Sequence, residues 1–221
     1  MTSRPGWAPG ALAAIAALTA LAAGASIAAC RADRVDPAST VDEAPVSATS
    51  APTATPDPWA GLGAPARIAI PAVDIDAPLE RLGLTPDQAI DVPNAWGNAG
   101  WYDAGFRPGE PGNAIISGHF DDDRGAAAVF YRLRELAPGD PVYVDYPGGE
   151  RYAFRVEDSR LLDADAVDAA VWEDVFGPSA VPGLSLITCD GVWDKRAGSY
   201  DKRLVLHAGY DPAASTPAAI P

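Results

Sequence analysis

Alternating hydrophobic and polar positions are the main feature of residues 66–209. Over residues 73–79, Val, Ile, Ala and Leu take the odd positions and Asp or Pro the even ones. A period of two of this kind predicts a strand with one buried face. Residues 67–70 form a similar run that stops at a proline, and residues 142–146 and 152–156 flank a Pro-Gly-Gly turn, which predicts a hairpin.

Other segments predict buried strands and short helices. Residues 112–118 form a turn followed by a short apolar run, and residues 184–188 and 204–208 are two further β-rich runs. Helical patterns are limited to residues 127–136 and 165–176. Many strands at close spacing, separated by Gly and Pro, predict an all-β domain that is closed or nearly closed.

The N-terminal 30 residues have the pattern of a targeting segment. Arg4 is their only charged residue, and residues 7–29 carry no charge, a length sufficient to span a bilayer. The stretch ends in Ile-Ala-Ala before Cys30, which resembles a lipobox. Three alternatives remain open: a lipid on Cys30 after cleavage, an uncleaved membrane anchor, and a simple secretory signal. All three predict that the rest of the chain lies outside the cytoplasm.

The remaining chain divides by composition into three parts. Residues 31–64 contain five prolines among Ala, Ser, Thr and Asp, which predicts a semi-extended linker without a core. Residues 65–209 form the predicted domain. Residues 210–221 have the composition of a disordered tail.

The net charge excludes two classes of partner. Sixteen Lys and Arg residues against 30 Asp and Glu residues give a net charge of −14. We therefore expect no nucleic acid partner, because such binding depends on neutralising phosphates, and no polybasic attachment to anionic lipid. A hydrophobic fraction of 48% is enough for a packed core.

We expect no metal and no cofactor. Two cysteines and two histidines are too few for a disulfide framework and make a structural zinc site of Cys and His improbable. Asp121, Asp122 and Asp123 offer oxygen ligands for Ca²⁺. However, a run of three acidic residues is more often a solvated loop.

Three residues of the domain are candidates for catalysis. Cys189 is the only cysteine of the domain and follows a strand-like run, and His119 stands at another strand end. Arg203 begins the last predicted strand, 14 residues after Cys189, so the intervening loop can bring the two together. His207 lies within that last strand, where we expect it to contribute to packing.

The three residue types together favour nucleophilic catalysis. A thiolate attacks more readily beside a cation or a base, a histidine donates a proton to a leaving amine, and a guanidinium stabilises an oxyanion. Other cysteine hydrolases combine the same residue types, so the trio alone does not define the reaction.

Three motifs give the chain a resemblance to the sortases. Residues 117–119 (Ser-Gly-His), 186–191 (Leu-Ile-Thr-Cys-Asp-Gly) and 200–206 (Tyr-Asp-Lys-Arg-Leu-Val-Leu) look like the histidine, cysteine and arginine motifs of that family. The similarity extends over nearly the whole domain. The Cys-Asp-Gly-Val-Trp-Asp loop that begins at Cys189 looks most like the actinobacterial class F sortases. One departure is the lipobox-like Cys30, because most sortases keep an uncleaved anchor.

The resemblance implies an eight-stranded sortase-type β-barrel with a few short helices. It also implies a thiol protease-like transpeptidase at the outer face of the cell membrane. Cys189 would attack a Leu-Pro-x-Thr-Gly-like sorting motif of secreted proteins, and a thioester acyl-enzyme would then pass the protein to an amine acceptor such as a peptidoglycan precursor. His119 would act as acid and base, Arg203 would stabilise the oxyanion, and Thr188 would line the substrate site.

Two alternative functions fit the sequence less well. L,D-transpeptidases also use Cys, His and Arg, but their Ser-x-Gly-Cys pattern is followed closely by Arg. Here Thr188 precedes the cysteine, and the nearest arginine is Arg196. A non-catalytic surface lipoprotein that binds peptide or sugar would explain residues 1–64 but not the catalytic trio.

Overall fold

Eight strands are the main regular elements among the residues that the structure describes. The structure is a computed structural model, and it describes residues 59–86, 89–164, 175 and 177–217. The strands are β1 (Arg67–Ile70), β2 (Ile75–Leu82), β3 (Ala99–Tyr102), β4 (Gly112–Gly118), β5 (Pro141–Asp145), β6 (Arg151–Asp163), β7 (Pro182–Asp194) and β8 (Ser199–Tyr210). Single 3-10 turns cover Ala60–Leu62, Pro71–Val73, Leu133–Glu135 and Pro212–Ala214.

The strands close into a barrel in the order β1-β2-β3-β4-β7-β8-β6-β5. The pairs β2/β3 and β4/β7 are parallel, and the other six pairs are antiparallel. The predicted hairpin over residues 142–156 is the β5/β6 pair. The prediction of an all-β, eight-stranded barrel is therefore confirmed.

The barrel interior holds one large hydrophobic core, because the alternation of the strands turns every second side chain inward. Its largest fully buried members are aromatic and branched aliphatic residues: Tyr152, Phe130, Phe154, Ile68, Ile70, Ile116, Leu133, Leu184, Leu186, Leu206, Val142 and Val144. The outer face of β4, β7 and β8 carries a second small cluster formed by Ile115, Ile187 and Val205 with Val175. These three strands are thus buried on both faces, which gives the site they carry a rigid base.

One predicted helix is wrong. Residues 127–136 form turns and the single 3-10 turn Leu133–Glu135. The backbone N–H groups of Ala128, Val129 and Phe130 donate to the carbonyls of Phe120, Trp96 and His119, respectively. These bonds tie the start of the segment to distant parts of the chain. The following N–H groups, such as those of Tyr131 and Leu133, donate to carbonyls three residues earlier, so the segment forms tight turns and not the i to i−4 bonds of an α-helix. The second predicted helix, residues 165–176, lies outside the described residues except for Val175.

The two chain ends differ in how far the structure describes them. The predicted targeting segment with Cys30 and the linker up to residue 58 lie outside the described residues. At the other end, β8 runs through Tyr210, and Thr216 exchanges two backbone hydrogen bonds with Arg151. The predicted disordered tail is therefore incorrect for residues 210–217, and residues 218–221 are not described. Within the described ranges, no helix is long and apolar enough to cross a membrane.

Candidate active site

Three neighbouring strands bring the predicted catalytic residues together. In the parallel pair of β4 and β7, Ser117 is the Cα partner of Ile187, and His119 and Cys189 each lie two positions beyond this pair. In the antiparallel pair of β7 and β8, Cys189 is the Cα partner of Arg203. His119, directly after β4, therefore lies at the edge where Cys189 of β7 and Arg203 of β8 are paired, although the three residues are far apart in the sequence.

A side-chain hydrogen bond holds the end of β4 against β7. Thr188 Oγ1 donates to the carbonyl of Gly118 at 2.9 Å, immediately before His119 and Cys189 in their respective strands. Gly118 must lack a side chain, because a Cβ there would lie 2.6 Å from a ring carbon of Phe130. The predicted contact of Thr188 with substrate stays a prediction, and the structure shows Thr188 joining the two catalytic strands.

The His119 ring is buried and fixed in orientation. The side chain is 2% exposed, and its Nε2 lies 2.7 Å from the carbonyl oxygen of Pro93. A carbonyl only accepts, so Nε2 carries a proton and donates it to this bond. The ring of Trp96 meets the His119 ring edge-on, with centroids 4.4 Å apart. Burial lowers the pKa of His119, against the opposing effects of the Pro93 hydrogen bond and of the charges of Glu80 and Asp121.

The Cys189 thiol is the nucleophile candidate, and its surroundings hold it in the neutral form. Cys189 is 8% exposed, and it is the one free cysteine among the described residues. Burial raises the pKa of the thiol. The positive charge of Arg203 lowers this pKa, whereas the carboxylates of Asp121 and Asp190 raise it. Arg203 is therefore the group that favours the thiolate.

The guanidinium of Arg203 is anchored to its own hairpin. Its Nη1 donates to the carbonyls of Tyr200 and Lys202, both at 2.8 Å, and its Nη2 donates to Ser199 Oγ at 2.9 Å. Arg203 is 5% exposed. These three hydrogen bonds fix the plane of the guanidinium beside Cys189. Ser199 is a supporting residue that the sequence patterns did not reveal, since a serine at the start of a strand has no distinctive signal.

The segment after His119 contacts the β7/β8 hairpin through a hydrogen bond and an aromatic pair. Tyr200 donates its hydroxyl proton to Asp121 at 2.6 Å, and the rings of Phe120 and Tyr200 meet edge-on at 5.5 Å. Asp122 accepts from the backbone N–H groups of Arg124 and Ala126. Asp121 and Asp122 therefore have structural partners, and no group of three metal-ligating side chains occurs among the described residues.

Two other residues considered in the sequence lie away from this site. His207 is the Cα partner of Ser185, which lies four residues before Cys189 in β7. Arg196 lies in the turn between β7 and β8, where its backbone N–H donates to Asp194. The structure therefore places Arg203, and not Arg196, beside the thiol.

A loop that sequence reasoning did not connect with the site holds His119. Pro93 and Trp96 both belong to the segment between β2 and β3, and Glu80 of β2 binds that segment through Asn94, Ala95 and Asn98. No sequence motif marked these residues, because the contact with His119 goes through a main-chain carbonyl. Glu80 takes a polar position of the alternating run before it, so it gave no signal in the sequence either.

Solved structures of other proteins share this fold. Sortase C1 from Streptococcus agalactiae is 22% identical, with a TM-score of 0.51, covering 66% of this chain and 67% of that one. A pilus-related sortase C of Group B Streptococcus is 17% identical, with a TM-score of 0.50 and coverages of 67% and 68%. Sortase C1 of GBS Pilus Island 1 is 19% identical, with a TM-score of 0.48 and coverages of 66% and 65%.

The structural similarity covers about two thirds of each of the compared chains. The chain spans about two thirds of the length of these solved structures. A comparison with curated proteins finds no match. The model of the sortase domain family, however, matches residues 68–211, which include all eight strands except the first residue of β1, together with His119, Cys189 and Arg203. The chain therefore belongs to the sortase family.

Proposed function

We propose that this protein is an extracytoplasmic cysteine transpeptidase of the sortase type. The observation that carries the proposal is the juxtaposition of His119, at the end of β4, with the paired residues Cys189 of β7 and Arg203 of β8, in a chain that the sortase domain matches over residues 68–211. The substrate is a secreted protein with a Leu-Pro-x-Thr-Gly-like sorting motif. The acceptor is a primary amine, such as that of a peptidoglycan precursor.

The first half of the reaction is the formation of a thioester. Cys189 Sγ attacks the carbonyl carbon of the scissile peptide bond, so a C–S bond forms and the C–N bond breaks. The proton of the thiol passes through His119 to the departing amine. Since Nε2 of His119 is bound to Pro93, Nδ1 is the nitrogen that exchanges protons with the reacting groups.

The second half transfers the acyl group to the acceptor. The amine attacks the thioester carbonyl, a C–N bond forms, and the C–S bond breaks. His119 accepts a proton from the attacking amine and returns one to the thiolate. Arg203 donates hydrogen bonds to the oxyanion in both tetrahedral intermediates, where a preorganised cationic donor is most effective.

The protonation states of the resting site predict the pH dependence. The pKa of Cys189 is raised by burial, and the pKa of His119 is lowered by burial. At neutral pH most molecules therefore hold a neutral thiol and a neutral imidazole, and the reactive pair of thiolate and imidazolium is a minor population. We expect a broad bell-shaped profile of kcat/KM, with the acid limb reporting His119 and the alkaline limb reporting Cys189.

The finer assignments extend this proposal. The Cys-Asp-Gly-Val-Trp-Asp motif, which forms the end of β7, supports class F, whereas the similarity to class C structures, at 17–22% identity, concerns the fold alone. The N-terminal segment supports attachment to the outer membrane face by a lipid on Cys30 or by an intact helix. Fractionation of cells that express the full chain tests the attachment, and recovery of all the protein in the medium would contradict it.

Mass spectrometry of an acyl-enzyme tests the proposed function. The full chain is incubated with a library of sorting peptides, with and without an amine acceptor. We expect a peptide adduct on Cys189, release of the C-terminal fragment, and loss of the adduct when the amine is added. A non-catalytic binding module would form no adduct. Absence of an adduct with every peptide, or peptide cleavage by Cys189→Ala, would overturn the proposal.

A further inference from the structure

The carboxylate of Glu80 collects four hydrogen bonds from one short segment. Oε2 accepts from the backbone N–H of Asn94 at 2.9 Å and from its side-chain amide at 2.8 Å. Oε1 accepts from the backbone N–H of Ala95 at 3.2 Å and from the side-chain amide of Asn98 at 2.8 Å. Glu80 therefore uses nearly all of the hydrogen-bond acceptor sites of its carboxylate to hold the segment that precedes β3.

The first of these hydrogen bonds reaches His119 through a single peptide group. The N–H of Asn94 and the carbonyl of Pro93 belong to the same peptide unit. The N–H donates to Glu80, and the carbonyl accepts from Nε2 of His119 at 2.7 Å. The structure thus contains a continuous chain of carboxylate, peptide and imidazole, in which each hydrogen bond polarises the next.

This arrangement performs the task that a carboxylate usually performs by direct contact with a catalytic histidine. A carboxylate on one ring nitrogen fixes the tautomer and leaves the other nitrogen to exchange protons. Here the negative charge acts on the N–H of the peptide, which makes its carbonyl a stronger acceptor for Nε2–H. The same segment supplies Trp96, whose ring contacts the His119 ring and whose carbonyl accepts from Val129.

The charges around His119 are consistent with this arrangement. Burial acts to raise the pKa of Glu80, but the hydrogen bonds from Asn94, Asn98 and Ala95 outweigh it and lower that pKa to about 2, so Glu80 is ionised at working pH. Glu80 on β2 and Asp121 beside the ring both raise the pKa of His119. The groups on the neighbouring strands are Cys189 and Arg203.

We propose that Glu80 is a positioning residue for His119, and that its carboxylate acts through the Pro93–Asn94 peptide to keep the proton on Nε2 and leave Nδ1 for catalysis. The proposal rests on the proposed role of His119 as acid and base. A purely structural alternative is that Glu80 only staples the loop, in which case any loss of its hydrogen bonds would have similar effects.

NMR of the histidine ring nitrogens distinguishes the positioning role of Glu80 from a purely structural role. The chain has two histidines, so a His207→Gln background leaves His119 as the sole signal. In that background we expect the Nε2–H tautomer. Glu80→Gln removes the charge and places an amide donor against the donors of the loop, so we expect a mixture of tautomers and a lower pKa of His119. Glu135→Gln removes an exposed carboxylate that pairs with Arg132 and is the matched control.

Kinetics on the same variants provide a second measurement. For Glu80→Gln we expect kcat to fall about 10-fold to 100-fold, as is typical when the residue that orients a reactive side chain is lost, with KM nearly unchanged. Asn98→Ala removes a donor to Oε1 but keeps the bond between Glu80 and the Asn94 N–H. We expect this variant to retain the tautomer, the pKa of His119 and most of kcat.

The outcomes distinguish this inference from the proposed function. If Glu80→Gln keeps the wild-type tautomer and His119 pKa, or if Asn98→Ala disturbs them equally, the positioning role is overturned and the loop staple remains. If Glu80→Gln does not fold, a disturbed tautomer in Asn98→Ala alone would also overturn it, and an undisturbed one would support it. Failure of the wild-type protein to form an acyl-enzyme would contradict the proposed function without affecting the tautomer result.

Discussion

The β7/β8 pair contains two cross-strand pairs of reactive residues, four positions apart, and they behave differently. At one, Cys189 faces Arg203 next to His119. At the other, Ser185 faces His207, and Ser185 Oγ lies 3.2 Å from His207 Nδ1. On distance alone, the second pair resembles a serine nucleophile beside its general base.

The direction of the hydrogen bonds separates these two regions. The single hydroxyl proton of Ser185 goes to the carbonyl of Val175 at 3.2 Å, so His207 Nδ1 contacts the Ser185 oxygen as a donor and cannot remove that proton. Ser185 is also fully buried. By contrast, His119 donates from Nε2 to Pro93 and keeps Nδ1 for proton exchange. A main-chain carbonyl therefore decides the outcome in both regions: it takes the Ser185 proton away from His207, whereas at His119 it occupies only the nitrogen that does not take part in catalysis.

The largest expected effect is the loss of the nucleophile. Cys189→Ala should abolish the acyl-enzyme and turnover together, because no other group of the site can form the thioester. Ser185→Ala, the matched change in the second pair, should leave turnover within a few fold. A fluorogenic sorting peptide and mass spectrometry measure both variants. Turnover by Cys189→Ala, or its loss in Ser185→Ala, would reverse the assignment of the two regions.

The second-largest effect is the difference in kcat/KM between variants of the two histidines. His119→Ala removes the proton carrier and should lower kcat/KM by about 10²-fold to 10⁴-fold. His207→Gln should change it by no more than a few fold, since His207 has a packing role in β8. Steady-state kinetics on the same peptide, with circular dichroism to verify folding, compare the variants. Equal losses in the two would mean that His207 also takes part in the reaction.

The arginine that supports the thiol should be sensitive to a conservative change. Arg203→Lys replaces a fork of hydrogen bonds, anchored at Ser199, Tyr200 and Lys202, with a point charge. We expect turnover to fall about 10²-fold to 10³-fold, as for the loss of an oxyanion donor. Arg196→Lys, in the turn of the same hairpin, is the control. Near wild-type turnover of Arg203→Lys combined with inactivity of Arg196→Lys would contradict the assignment.

The smallest effect concerns the charge beside the thiol. Asp190 raises the pKa of Cys189, so Asp190→Asn should lower that pKa and shift the alkylation profile of Cys189 to lower pH. At pH 7 the rate of alkylation by iodoacetamide should rise by a few fold, because more of the thiol is ionised. Asp158→Asn, at the Cα partner of His207, should leave the profile unchanged. A slower reaction of Asp190→Asn would show that its bond to Arg134 matters more than its charge.

Part of the site was predictable because its signals are local. The strand runs at residues 112–118, 184–188 and 204–208 could be identified from sequence, and His119 directly follows the end of β4 as expected. Cys189 and Arg203 were also expected at strand ends, but they lie within β7 and β8, because these strands continue past both residues as one paired hairpin. The contacts that hold each of these side chains in place could not be inferred from the sequence. Ser199 holds Arg203, and Glu80 and Pro93 hold His119, through single hydrogen bonds that carry no sequence motif.

The sequence by itself determined an all-β domain and its three reactive residue types, because period-two alternation and turn residues act over a few positions. The tertiary structure decided the rest. Residues 127–136 form tight turns in place of their predicted helix, with their start tied by hydrogen bonds to the distant carbonyls of Phe120, Trp96 and His119 and their later N–H groups bonded three residues back. Likewise, the tautomer of His119 depends on the Pro93 carbonyl, which barrel closure brings to the ring. Hydrogen bonds between distant segments exist only once the barrel has formed, so no local pattern encodes them.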